Sequence, residues 1–149
     1  MRQQLNYGRL NRHDITHINN AYTWSVRAQQ WVEWLSRISV QQAYQCLIQG
    51  KYTQAVALYE QGIEACPTVM ENYWYLGLTF LLQGQEVEVQ TTWTLAIVNG
   101  EPEQIDVWTA ELIQVLQSEA VRQTAIGDYQ TAELIQQCIR EISPEMLLP

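Results

Sequence analysis

Gly50-Lys51-Tyr52-Thr53-Gln54-Ala55 and Gly127-Asp128-Tyr129-Gln130-Thr131-Ala132 share glycine, tyrosine and alanine at the same places, and a proline, Pro67 or Pro144, follows each glycine by 17 residues. Gly84 stands 34 residues after Gly50, and Gly127 stands 43 after Gly84, nine more than the first interval. Each of these glycines closes an apolar run of helical period, and a second such run follows it. A glycine at a helix end enters the left-handed region at little cost, so the three positions predict turns between antiparallel helices. Self-similarity at this period belongs to stacked helical units rather than to an irregular bundle.

Outward from the glycines, the rest of the sequence agrees. The chain has 149 residues, 47% hydrophobic and 16% charged, with only four prolines and seven glycines to interrupt its helices, which favours an all-α domain. Ala43, Gly77 and Ala120 fall at equivalent places in the first helix of each pair, and Ala55, Val89 and Ala132 in the second, where close helix crossings need small residues. Tyr52, Tyr59, Phe80, Trp93 and Tyr129 are the expected fillers between pairs. Asn99-Gly100-Glu101-Pro102 reads as a stop and restart, with Pro102 at a first helical position. The nine additional residues then lengthen the following helix by about two turns, its stripe being Ile105, Trp108, Leu112, Val115 and Leu116, with Trp108 docked on the middle pair. The pairs are expected at 38–67, 71–99 and 102–143, after a Trp-rich helix.

This pattern resembles the tetratricopeptide repeat, a 34-residue helix–turn–helix. The middle unit carries the first-helix signature as Tyr73, Leu76-Gly77 and Phe80, with Tyr for the usual Trp; the first carries the second-helix signature as Ala55, Tyr59 and Pro67. The third keeps Ala120, Gly127, Tyr129, Ala132 and Pro144 but places Glu119, Gln123 and Gln136 where large apolar residues are expected. The resemblance implies a right-handed solenoid of about three units over residues 38–144, with a basic, Trp-rich helical extension at 1–37 and a short tail at 145–149. More narrowly, Tyr73-Trp74-Tyr75-Leu76-Gly77, Gly84-Gln85, Glu101 to Trp108 and Ile139 to Pro144 are similar to the repeat region preceding catalytic domains in bacterial O-linked N-acetylglucosamine transferase-type glycosyltransferases and related methyltransferases. The sequence stops five residues after Pro144, so the catalytic activity is not carried over, and the corresponding alternative is a stand-alone recruiting module.

The resemblance also implies a function, a scaffold or adaptor that takes a partner segment along the first helices. The positions so assigned are Val40 and Tyr44, then Glu71, Trp74, Tyr75 and Leu78, then Gln114 and Gln117. The Lys and Asn sets with which family members grip a terminal carboxylate or a glycosyltransferase substrate are missing at these places. Aromatic area beside Glu71 fits an apolar or mildly basic protein segment, anchored on rings. Trp74 and Tyr75 are equally read as covers for the neighbouring N-terminal helix.

Catalytic constellations are weak by comparison. His13 and His17 share one helix face around Asp14 with no third ligand, and a solvated face is the preferred reading, so no metal or other cofactor is assigned. Cys46, Cys66 and Cys138, three thiols without close pairing, are expected to be structural in a reducing cytoplasm. No phosphate loop, Ser–His–acid set or buried carboxylate pair is found, so no enzyme is expected. No apolar run is long enough to cross a bilayer.

Charge is unevenly placed. Residues 1–37 hold five arginines against Asp14 and Glu33, a net +3, so the rest of a chain of net charge −8 carries −11. An acidic body of that kind repels nucleic acid. Trp24, Trp31, Trp34, Leu35 and Ile38 form a stripe beside Arg27 and Arg37, read either as a face packed on the first hairpin or as a docking or membrane-surface helix. The opposed charges point to a salt-sensitive contact between copies through residues 1–37.

Overall fold

A computed structural model describes the backbone of residues 9–142 and the side chains of residues 25–142. The described residues form α1 (Arg9–Ile48), α2 (Tyr52–Ala65), α3 (Glu71–Leu82), α4 (Glu86–Val98), α5 (Pro102–Ala125) and α6 (Tyr129–Ile142), with no strand among them. The protein is all-α. It divides into two units, residues 1–38 and 39–149, whose boundary falls inside α1. The boundary expected near residue 37 is not a break in the helix: Arg37-Ile38-Ser39 contains no glycine or proline that would end one. His13, His17 and the Trp24 ring lie outside the described side chains, as does the tail from 143 onward.

The three glycines behave alike. Gly50, Gly84 and Gly127 have φ of +78°, +77° and +87°. At each, the glycine N–H donates to the carbonyl three residues back, and the next N–H donates to the carbonyl five residues before it. The pairs are Gly50 to Leu47 and Lys51 to Cys46, Gly84 to Leu81 and Gln85 to Phe80, Gly127 to Thr124 and Asp128 to Gln123, all between 2.8 and 3.0 Å. This Schellman arrangement satisfies carbonyls that a helix end otherwise leaves bare. The second helix then opens with Ala55, Val89 or Ala132 donating to the carbonyl four residues back. One turn chemistry is therefore used three times in the second unit, at the positions read from sequence.

The remaining restart is at α5. Glu101 is extended, at φ −69° and ψ 157°, its N–H donates to Gln104 Oε1 at 3.0 Å in a capping box, and Pro102 follows at the first helical turn. The Trp108 ring lies over Gly100, where any Cβ would collide with it.

In the second unit α3 is central, packing on α2, α4 and α5, while α5 packs most extensively on α6. Seven of the twelve α3 residues are buried, as a helix covered on several sides requires. The small residues expected at crossings, Ala43, Ala55, Gly77, Val89, Ala120 and Ala132, are all buried. At Gly77 the reason is visible: the Trp93 indole from α4 occupies the place a Cβ would take, and Trp93 Nε1 donates to the Trp74 carbonyl at 3.3 Å. Gly62 of α2 is similarly tight against Asn72 of α3, an added Cβ lying 2.8 Å from its amide atoms. Tyr59, Trp93 and partly Phe80 fill space as expected, but Tyr52 is only half-buried and does not pack against the core, and Tyr129 is 69% exposed. No described helix lies beyond α6 to cover it, whereas Tyr52 is followed by further hairpins.

α6 buries Ala132, Ile135 and Ile139 on one face and exposes Gln130, Glu133, Gln136, Gln137 and Arg140 on the other. Arg140 links that polar face through Glu133 and Gln137, each at 2.9 Å. The apolar residue expected at Gln136 is thus absent because the position faces outward.

Candidate partner-binding face

The assigned face comprises the end of α1, α3 and α5, and the eight expected contacts separate into two groups. Val40 is 7% exposed, and Trp74 and Leu78 are fully buried, so these three are core and are corrected from contacts to supports. Trp74 is held from two sides, its Nε1 donating to Glu111 Oε1 of α5 at 3.4 Å and its carbonyl accepting from Trp93 of α4. On a helix covered by three neighbours, a register position on the outer side can still lie beneath the surface. Tyr44 and Tyr75 are half-buried, and Glu71, Gln114 and Gln117 are exposed.

The accessible aromatic area is continuous. Tyr44 meets Tyr75 edge to face with centroids 5.5 Å apart, and Tyr75 stacks on the buried Tyr59 ring at 5.9 Å. Offset and edge-on pairs add roughly 0.5–1.5 kcal/mol beyond area burial, so the three rings support one another. Burial raises the Tyr59 hydroxyl well above the ordinary phenol range, with Tyr75, Tyr44, Cys46 and Glu119 adding to it. Tyr75 is raised first by burial and then by Tyr44, Glu71 and Glu119. Both phenols therefore stay neutral near pH 7.

Beside this floor lies a polar group that register alone assigned to the core. Glu119 is 2% exposed and accepts from Arg122 Nε and Nη2 at 2.8 and 2.6 Å and from Gln123 Nε2 at 2.8 Å. The hydrogen bond to Glu119 raises the Arg122 guanidinium further, against the lowering effect of burial. The sequence signal was the polar pair Glu119 and Gln123 in apolar register, with Arg122 between them; what it lacked was the local i, i+3 fork that satisfies the carboxylate. The hydroxyl of Tyr59 and both amide atoms of Asn72 are buried without a hydrogen-bonding partner among the protein atoms. Nothing in the sequence singles out Asn72.

Chemically, the face offers rings, neutral hydroxyls, one paired guanidinium and the Glu71 carboxylate. No group of three or more His, Cys, Asp or Glu side chains is arranged to hold a metal among the described residues. The Cys138 thiol lies elsewhere, between α4 and α6, and burial followed by the Glu141 charge pushes it up to about 11. It is a thiol and not a thiolate near pH 7.

No family model, curated protein or solved structure matches the chain.

Proposed function

We propose that the protein is a non-catalytic interaction module of the tetratricopeptide type, a scaffold or adaptor whose partner segment lies along the face formed by α1, α3 and α5. Residues 38–144 form a right-handed solenoid of three hairpins in this reading. Its support is the threefold glycine cap with matching hydrogen bonds, together with the small residues at each helix crossing.

The observation that carries the binding role is the half-exposed Tyr44–Tyr75 pair on its Tyr59 base, framed by Glu71, Gln114 and Gln117. Packed aromatic area beside hydrogen-bonding side chains is the composition of an interface anchor. Glu71 and the electron-rich ring faces favour a segment with apolar residues and a Lys or Arg, which the rings engage by cation–π contact worth roughly 0.5–2 kcal/mol. Nucleic acid is disfavoured by the surplus of carboxylates outside residues 1–37. No described helix is long and apolar enough to cross a membrane, and the free cysteines suit a reducing, cytoplasmic setting.

Selection of phage-displayed random peptides on the immobilised chain tests the reading. Enriched peptides should combine apolar and basic residues, and Tyr44→Ala and Glu71→Lys should each weaken them by about ten-fold, equivalent to roughly 1.4 kcal/mol. Failure to enrich any sequence, or peptides indifferent to both substitutions, overturns it.

A further inference from the structure

We infer that the exposed tryptophan face of α1 docks into the groove between α4 and α6 of a second copy of this chain, joining copies head to tail. Two observations, one in each unit, lead there.

In the first unit, Trp31 is 59% and Trp34 50% exposed, and the two rings stack on each other with centroids 4.9 Å apart. Leu35 adjoins them at 44%. Large apolar side chains gathered on one exposed face, rather than scattered, mark a surface that is covered in use. Arg27 and Arg37 flank the rings and outnumber Glu33, so the face is apolar with basic ends.

In the second unit, α4 and α6 leave a hollow of about 420 Å³ lined by Leu81, Trp93, Leu134 and Ile142, with Glu86 and Glu141 at its edge. A second hollow of about 380 Å³ shares Gln90, Trp93 and Ile142 with the first and extends past Ile97 and Val98. Each is within the roughly 300–1,000 Å³ of ordinary ligand pockets, and the shared residues join them into one trough with apolar walls. Leu134 and Val98 are 44% and 61% exposed along it.

Charge decides the occupant. If the tryptophan faces of two copies met each other, an antiparallel pairing centred on Val32 would lay Arg27 against Arg37 of the second copy at both ends. A parallel pairing would lay each arginine on its equivalent. Either arrangement sets like charges together as the apolar area closes, which costs free energy in a desolvated contact. The trough instead offers Glu86 and Glu141 to the two arginines, and apolar walls to the two rings. The contact is heterologous, because the donor face and the acceptor trough are different surfaces, so it builds a ring or an open chain rather than a two-fold dimer.

The test is the mass of the full chain in solution as a function of concentration and salt. Wild type should rise above 17.3 kDa with concentration and fall back as salt is added. Trp31→Ala with Trp34→Ala should stay monomeric and, because these rings are exposed and Ala favours helix, should keep its helical circular dichroism. Leu134→Arg, which blocks the trough, should also be monomeric. Mixing the two defective proteins should restore a species of twice the chain mass and no larger, since one supplies the face and the other the trough. A monomeric wild type at all concentrations overturns the inference, as does continued self-association of Leu134→Arg, or failure of the two variants to complement.

Discussion

Replacing Gly77 by alanine tests the packing of the second unit at its tightest point. The added Cβ would enter the Trp93 indole, which is 6% exposed and fixed by its hydrogen bond to the Trp74 carbonyl. The ring cannot swing into solvent without opening the core, so α3 and α4 must separate. Overpacking of this kind costs roughly 1–3 kcal/mol. Displacing the indole N–H from its acceptor adds about 1 kcal/mol. Alanine's better helix propensity returns about 1 kcal/mol. The net is a loss of about 2 kcal/mol, or a fall of roughly 8 °C in Tm for a unit of this size. Thermal and urea unfolding followed by circular dichroism would measure it, with Trp93→Leu as the second arm. In that background the collision is gone, so Gly77→Ala should become neutral or stabilising, a reversal of sign. A Tm that rises with Gly77→Ala alone, or a loss of the same size in both backgrounds, would refute the packing account; Gly77→Leu should be worse than alanine.

Gly50→Ala, Gly84→Ala and Gly127→Ala meet no neighbouring atom but force φ near +80° on a residue with a Cβ, so each should cost about 1–2 kcal/mol in urea unfolding, with asparagine milder than alanine. Glu119→Ala strips the partner from Arg122, which is 25% exposed; the loss should be about 2 kcal/mol, below that of a fully buried pair, whereas Glu119→Leu with Arg122→Met should fall within about 1 kcal/mol of wild type. Asp128 accepts from the Thr131 backbone N–H at 3.0 Å and its hydroxyl at 2.7 Å, which lowers its carboxyl below the ordinary value. Its stabilising contribution is therefore present above the unfolded pKa of about 3.9 and lost as pH falls through the lower folded value. Asparagine also caps helices without titrating, so the Tm advantage of wild type over Asp128→Asn should shrink as pH is taken down through that window; an advantage that grows on acidification refutes the assignment.

The turns at Gly50, Gly84 and Gly127 and the start at Pro102 were legible because punctuation and packing agree: the glycines need left-handed backbone, the proline needs a helix start, and both needs are local, whereas nothing local marks that α1 runs on through residue 38. That Ala43, Gly77 and Ala120 are buried was legible for a similar reason, since their small size marks positions a neighbouring helix can approach. The face was legible only in part. Helical register places Trp74 and Leu78 on the same side as Glu71 and Tyr75, yet depth depends on how many helices surround α3, which is a tertiary property. Glu119 and Gln123 stand out in the sequence as misfits in the core register, but the Arg122 fork that makes burial tolerable is a side-chain geometry that sequence spacing permits without specifying. Tyr129 matched Tyr52 in pattern and differs in exposure because its neighbours differ.

Chemical-shift mapping by NMR, with the labelled chain titrated with a peptide enriched in the selection, tests most directly whether the partner lies along α1, α3 and α5. The account predicts saturable shifts centred on Tyr44, Glu71, Tyr75, Gln114 and Gln117, with Trp74 and Leu78 responding weakly as supports. Shifts confined to Val89, Leu134 and Cys138 in the α4–α6 trough, or scattered with no centre on the tyrosine pair, would contradict it.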